Sequence, residues 1–248
     1  KIRGLFPIID NALEHDDSQV ERIRSETEAS IRILPGECIA VKLTSLGMDD
    51  MQPIYRICDL AEEHGNTLLI DAEQIGVQDK IDDITDMLML KYNKNRPIVH
   101  KTYQMYRIDR LKILEDDIMR TETRDIYHGF KIVRGAYLNE EVKLGNQKYL
   151  CPDIYATHKN YDNAVDAVSE STHSHGIVAT HNNHSCERLV KNDRIAVAQL
   201  KGMADQLSAD MHLAGFKVFK YIPWGPFTEC VPYLTRRLYE NYEMLKHL

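Results

Sequence analysis

The sequence predicts an α/β fold, a parallel (β/α)8 TIM barrel, on three observations. Eight short apolar, β-branched runs occur; longer amphipathic stretches separate them in unbroken alternation; and the 248 residues match the roughly 250 that eight such units require. Strands that alternate with helices lie parallel and are joined by right-handed crossovers. A doubly wound open sheet would use the same alternation, but eight units in this length favour the closed form. No stretch rich in Gly, Pro or Ser divides the chain and no repeat or low-complexity segment interrupts it, so residues 1–248 read as a single domain.

The first run, residues 5–9, contains Pro7, which lacks a ladder donor and makes this the least certain strand. A helical pattern over 18–34 leads to the strand run 39–43, and one over 51–64 leads to 67–70. The pairs 80–92 with 98–102 and 106–124 with 130–133 follow in the same way. A long irregular connection then runs from Gly135 to about Tyr161, and connections of that length inside a compact domain usually serve a site. The helix 161–175, the strands 177–180 and 195–200, the helix 206–215 and the strand 218–222 complete the set. After the turn Pro223-Trp224-Gly225-Pro226 comes a closing helix.

Composition narrows the chemistry. A hydrophobic content of 43% suffices for a sizeable core, and a net charge of −7 with scattered Lys and Arg offers no basic field for nucleic acid. The 5 cysteines lie far apart without a C-x-x-C pair, which argues against a disulfide framework or zinc ribbon and for a reducing compartment. No apolar run approaches the ~18 residues of a membrane span. The chain opens on Lys1, which reads as a processed or trimmed form.

In a barrel the chemistry gathers at the carboxyl ends of the strands. Asp10 follows the first run, Lys42 ends the second, Asp71 and Glu73 follow the third, and Thr102 through Gln104 end the fourth. Arg134-Gly135-Ala136-Tyr137 follows the fifth, Thr180-His181-Asn182 the sixth, Gln199 ends the seventh and Tyr221 the eighth. Adjacent strands bring the Lys42 ammonium and the Asp71 carboxylate within pairing distance, either as a structural ion pair or as part of a site. Gly135-Ala136 lets a flat ring or a phosphate approach the backbone, although the same pair also makes an ordinary turn. On the closing helix Tyr233, Arg236, Arg237 and Glu240 are spaced to share one face. Two guanidinium forks suit a bidentate carboxylate, and a solvated Arg–Glu face is the plainer reading. A metal-dependent hydrolase or aldolase would draw on Asp71, Glu73 and His181, while His173 and His175 fall at the opposite end. A catalytically silent barrel that binds an amino acid is a third possibility.

Taken in order, the segments A-V-K-L-T at 40–44, L-I-D-A-E at 69–73, T-Y-Q-M-Y at 102–106, V-R-G-A-Y-L at 133–138, A-T-H-N at 179–182, Q-L-K-G-M-A-D-Q at 199–206, K-Y-I-P-W-G-P at 220–226 and Y-L-T-R-R-L-Y-E-N at 233–241 resemble the proline dehydrogenase family. The forms at 133–138 and 199–206 are similar to its eukaryotic, mitochondrial branch. The resemblance implies a distorted barrel that binds FAD non-covalently, with the last helix over the mouth. It implies oxidation of L-proline to 1-pyrroline-5-carboxylate, with electrons passing to ubiquinone, and peripheral contact with the matrix side of the mitochondrial inner membrane.

Residues matching Arg236 and Arg237 would clamp the substrate carboxylate beside Lys42, with Asp71, Tyr221 and Tyr233 lining the pocket and Asp10 and Glu240 holding the arginines. Those matching Gln104, Lys131, Val133, Gly135, Ala136, Tyr137, Thr157, Lys159, Thr180, His181, Asn182 and Gln199 would hold the flavin. Lys131 stands where bacterial members carry arginine, and Trp224 where eukaryotic members often carry tyrosine. Tyr221 matches members specific for proline, which implies proline over 4-hydroxyproline.

Overall fold

In the computed structural model, residues 4–12, 17–228, 230, 231, 234 and 235 are described. Eight parallel strands close into a barrel in sequence order: β1 (Leu5–Asn11), β2 (Cys38–Val41), β3 (Thr67–Ile70), β4 (Val99–Gln104), β5 (His128–Val133), β6 (Ser174–Ala179), β7 (Ile195–Leu200) and β8 (Val218–Trp224). Closure excludes the open doubly wound sheet. The outer layer holds α1 (Val20–Ile33), α2 (Leu43–Leu46), α3 (Met51–Glu63), α4 (Ile75–Tyr92), α5 (Arg110–Thr123), α6 (Leu138–Lys143), α7 (Ile154–Glu170), α8 (Asn183–Glu187) and α9 (Asp205–Leu213). On the closing helix, Tyr233, Arg236, Arg237 and Glu240 lie outside the described residues.

Pro7 does not break β1. Pairing with β8 runs from Leu5↔Val218 to Asn11↔Trp224, whereas pairing with β2 begins only at Ile8↔Cys38, so the proline sits where the strand has a single neighbour. Strand alternation then sorts the side chains. Ile8, Cys38, Ala40, Leu69, Ile177, Ala196, Ala198 and Phe219 form the inner core. Outward residues of β2 and β3 pack with Ile23, Ile31, Ile54 and Ile57 of α1 and α3, and those of β4 to β7 pack under α5 and α7. Barrel interiors are ordinarily filled by bulky branched chains. Here three of the eight inner-core residues are alanines, which leaves the upper interior hollow.

Between β4, β5 and the helices α4 and α5 lies a buried polar layer. Lys101 Nζ is 2.9 Å from both Asp86 and Asp117, and Arg120 reaches the same two carboxylates at 2.7 Å. Tyr103 donates its hydroxyl proton to Asp117 Oδ2 at 2.8 Å, so its contact with His128 Nε2 at 2.9 Å requires the imidazole to donate. Nδ1 is then the acceptor for the Ser174 hydroxyl at 3.0 Å, and the neutral ring is held in one tautomer.

Three expectations about element boundaries are corrected. Helix α4 starts at Ile75 and not at residue 80, and α5 starts at Arg110 because two successive turns precede it, closed by Arg107 N donating to Gln104 O at 3.1 Å and Arg110 N donating to Arg107 O at 3.5 Å. Helix α7 starts at Ile154, not Tyr161, since Asp153 Oδ1 accepts from Ala156 N at 2.7 Å and caps it. The connection expected to be irregular therefore contains α6 and a short 3-10 turn, Gln147–Tyr149. Buried Glu141 ties it to the β3–α4 loop by accepting from Ile75 N at 2.7 Å.

Candidate active site

A cavity of about 1150 Å³ opens at the carboxyl ends of the strands. Its floor is polar and its walls, among them Ile8, Ala72, Val133, Ala179 and Ala198, are largely apolar. On the floor, Asp71 at the end of β3 accepts hydrogen bonds from Lys131 of β5 and from the Tyr221 hydroxyl of β8, the latter at 3.0 Å. Lys42, which leads from β2 into α2, lies 3.8 Å from Asp71 Oδ2 and donates to Asp10 Oδ1 at 2.9 Å. Lys131 Nζ also lies 5.2 Å from the centre of the Tyr221 ring. Residues distant in sequence thus converge because five strands end at the same height.

The electrostatics follow from burial and pairing. Burial pushes the Asp71 carboxyl up, but the Lys131 and Lys42 ammoniums and the hydrogen bonds from Lys131 and Tyr221 outweigh it, so the group stays below the ordinary value. For Asp10, burial outweighs Lys42 and is reinforced by the Asp71 charge, and its carboxyl is raised. The floor thus presents the Asp71 carboxylate beside the Lys42 and Lys131 ammoniums, with Asp10 behind Lys42, which suits a ligand that carries one charge of each sign.

Glu73 does not join Asp71. The strand ends at Ile70, and Glu73 turns away to accept from Thr44 Oγ1 at 2.6 Å and Thr44 N at 3.3 Å. Burial raises its carboxyl. The paired acid and base considered from sequence is therefore not formed. His181 reaches the cavity wall, but its Nε2 accepts from Leu200 N at 3.0 Å, and burial lowers its affinity for a proton. Among the described residues no three His, Cys, Asp or Glu side chains are grouped to hold a metal ion.

The residues expected to hold a flavin divide into two sets. Gln104, Lys131, Val133, Gly135, Ala136, Tyr137, Thr180, His181, Asn182 and Gln199 all line the cavity. Gln104 fixes the loops around it, donating to Glu73 O at 2.8 Å and accepting from Ala136 N at 3.2 Å. Gln199 bridges Thr180 O at 3.2 Å and Ser208 Oγ at 2.9 Å. Asn182 caps α8 by accepting from Ser185 N at 3.3 Å. Gly135 has φ +129°, and a Cβ there would lie 1.8 Å from Tyr106 Cδ1, so its first close neighbour is a ring of the protein itself.

Thr157 and Lys159, also named from the resemblance, are not among the residues that line the cavity. Thr157 is buried with Oγ1 donating to Asp153 O at 3.2 Å, and Lys159 is exposed. With α7 starting at Ile154, the face that meets the cavity is Ile154 and His158, spaced i and i+4. Arg134 was also missed as a site residue. Its guanidinium donates to His158 Nδ1 at 2.8 Å, Thr180 Oγ1 at 2.7 Å and Ser185 Oγ at 2.9 Å, while lying 4.1 Å from the centre of the Tyr161 ring. Its place at the end of a strand, directly before Gly135, was the available signal. Lys220 works from outside the barrel, donating to Met203 O and Asp205 Oδ1 at 2.8 Å and fixing the turn that forms one wall.

Comparison with known proteins bears on the whole chain. It is 35% identical over 216 residues to proline dehydrogenase 1, mitochondrial, of Caenorhabditis elegans, covering 78% of this chain and 35% of that protein. The protein of the same name from Arabidopsis thaliana is 33% identical over 264 residues, 97% of this chain and 49% of its own length. The chain thus spans a third to a half of these relatives. Its barrel superposes on proline utilization A from Bdellovibrio bacteriovorus, inactivated by N-propargylglycine, with a TM-score of 0.86 at 17% identity over 96% of this chain and 30% of that one, a likeness of fold. The sequence model of a family described as proline dehydrogenase matches residues 8–248. With that match extending from β1 through the closing motif, the chain belongs to the proline dehydrogenase family.

Proposed function

We propose that the protein oxidises L-proline to 1-pyrroline-5-carboxylate with non-covalently bound FAD, electrons passing on to ubiquinone, as the first step of proline catabolism. The observation that carries this reading is the charged floor of Lys42, Asp71 and Lys131, with Asp10 paired to Lys42 just behind it, beneath an apolar cavity. Proline is a zwitterion with an apolar ring, and both of its characters are met there. The cavity exceeds the roughly 300–1,000 Å³ of ordinary small-molecule pockets, which leaves room for a dinucleotide-sized group beside a small substrate. A buried hydroxyl in its wall, Thr102 Oγ1, has no partner and is available to such a group.

The residues that would hold FAD are Lys131, Gly135, Ala136, Thr180, His181, Asn182 and Gln199 on the cavity wall, with Arg134 bracing them. Bound FAD would supply the acceptor for the hydride leaving proline C5. The chain's own work is orientation and charge. Lys42, with Arg236 and Arg237 by family resemblance, would bind the carboxylate; Asp71 would face the amine; and the Tyr221 ring would fill the space beside C4. The apolar walls exclude water from the reacting carbon. Among the described residues no helix is long and apolar enough to cross a membrane. Peripheral contact with the matrix face of the mitochondrial inner membrane is part of the same proposal, supported by the mitochondrial names of the relatives.

The test is optical. The purified chain should carry flavin absorbance that bleaches when L-proline is added without oxygen, and a ubiquinone analogue should restore it. A flavin that stays oxidised in excess proline, or a chain that binds none, would overturn the proposal.

A further inference from the structure

Behind the floor of the main cavity, between β1, β2 and α1, lies a second hollow of about 10 Å³, close to the space one water molecule needs. Asp10, Asn11, Thr27, Lys42 and Ser45 contribute to its wall. Two of the polar atoms there, Asp10 Oδ2 and Ser45 Oγ, are buried and have no protein partner. Buried oxygens are rarely left so, and two around a single one-water hollow mark a site that a water would satisfy.

The hollow also joins two polar files. On the inner side Asp10 accepts from Lys42 at 2.9 Å, and Lys42 stands 3.8 Å from Asp71 on the cavity floor. On the outer side Asn11 Nδ2 donates to Glu26 Oε2 at 2.8 Å, and Glu26, held at 2.8 Å by Arg22, reaches solvent with 28% of its side chain exposed. Polar groups therefore run from the floor of the site through the barrel wall to the surface.

We infer that this hollow is the water station of a proton exit that leads from the substrate amine by way of Asp71, Lys42 and Asp10, past Ser45, to Glu26 at the surface. The inference rests on the proposed proline oxidation, in which the ammonium must lose a proton before hydride can leave. The N–H bond breaks with its electron pair remaining on nitrogen. Asp71, which faces the amine, takes that proton and hands it to Lys42 as Lys42 releases one of its own to Asp10, and Asp10 passes one to the water and so to solvent. Bound FAD would supply the acceptor for the C5–H electron pair, which would leave as hydride while the nitrogen pair closes the C=N bond. With cofactor and substrate filling the main cavity, the mouth is not an open route for the proton.

The surroundings of Asp10 suit a relay. Lys42 from β2, Asp71 from β3 and Lys131 from β5 face it, with Tyr221 of β8 acting through Asp71 and Glu26 and Arg22 of α1 beyond the hollow. Burial sets its proton affinity above that of an ordinary carboxylate, so protonated Asp10 is within reach as an intermediate state.

The inference is tested with the full chain carrying FAD. A crystal structure should show one ordered water within hydrogen-bond distance of Asp10 Oδ2 and Ser45 Oγ; a dry hollow overturns it. Ser45→Val fills the hollow, whereas Ser45→Ala keeps its room. Ser45→Val should slow flavin reduction by proline at least about tenfold, displace the pH–rate profile and enlarge the solvent deuterium effect, with proline KM and flavin content unchanged. Ser45→Ala should do less. Should Ser45→Val fail to bind flavin, Glu26→Gln must displace the pH profile in its place. If wild type reduces its flavin with proline while Ser45→Val, or Glu26→Gln in its place, keeps the wild-type profile and isotope effect, the exit is overturned and the functional reading stands. If proline leaves the wild-type flavin oxidised, the functional reading falls and the exit with it.

Discussion

The Tyr221 hydroxyl lies 3.0 Å from Asp71 Oδ2, and its ring flanks Lys131 on the cavity floor. A ring in that place limits how large a five-membered substrate can be, and a 4-hydroxyl would compete with it for space. Tyr221→Ser should therefore raise activity on 4-hydroxyproline relative to proline, by a factor on the order of ten or more for the relief of one close contact. Steady-state kinetics with both substrates measure it, and an unchanged ratio would reject the steric role. At this scale much of the floor was legible in the sequence, because a polar residue directly after an apolar run falls at the barrel mouth whichever strand carries it. Lys42, Asp71 and Tyr221 were found that way. His158 was less legible, because a resemblance assigns a segment more readily than a helix face, and a shift of one residue on a helix turns a side chain by about 100°.

Among elements, β5 and β6 pack so closely that Gly176 has no room for a side chain: a Cβ there would lie 1.9 Å from Phe130 O. The clash is with backbone, which cannot rotate away. Gly176→Ala should cost at least about 3 kcal/mol, at or above the usual range for overpacking, and lower the urea midpoint accordingly. An unchanged midpoint would mean that the strands separate freely. All eight strands were legible because apolar β-branched runs at regular spacing leave few alternatives. The start of α3 was legible too, but those of α4, α5 and α7 were not, since a start is set by the local turn or cap and not by the apolar stripe. Asp153 caps α7 eight residues before Tyr161, the residue at which the pattern becomes visibly amphipathic. The same misreading hid His158, which faces the cavity only when the helix begins at Ile154.

For the whole molecule, two buried histidines couple folding to pH. Burial, aided by nearby His128, lowers His100 to about 3, and burial with the Lys101 and Arg120 charges lowers His128 to about 3. An unfolded chain protonates them near 6.5. Between these values the unfolded state binds more protons, so stability falls as pH drops below about 6.5 and continues to fall toward about 3. His100 is the simpler of the two to test, because replacing His128 would also break its hydrogen bonds to Tyr103 and Ser174. On moving from pH 7.5 to 5.0, wild type should lose roughly 2 kcal/mol more unfolding free energy than His100→Leu. Urea titrations at the two pH values measure the difference, and equal losses would refute the assignment. Asp71 enters only lower, since its depressed value places its loss below the ordinary carboxylate range.

The alanines Ala179 and Ala198 in the cavity wall carry a further consequence, for how this barrel would change over generations. In most interiors a larger side chain harms the fold, and selection for stability keeps it out. Here the neighbouring space is hollow, so an added methyl group would meet little resistance and would gain packing. Folding alone does not preserve these positions; only the need for an occupant does. A lineage freed from that need would close its barrel first at these alanines, and the silent descendant would be the sturdier molecule.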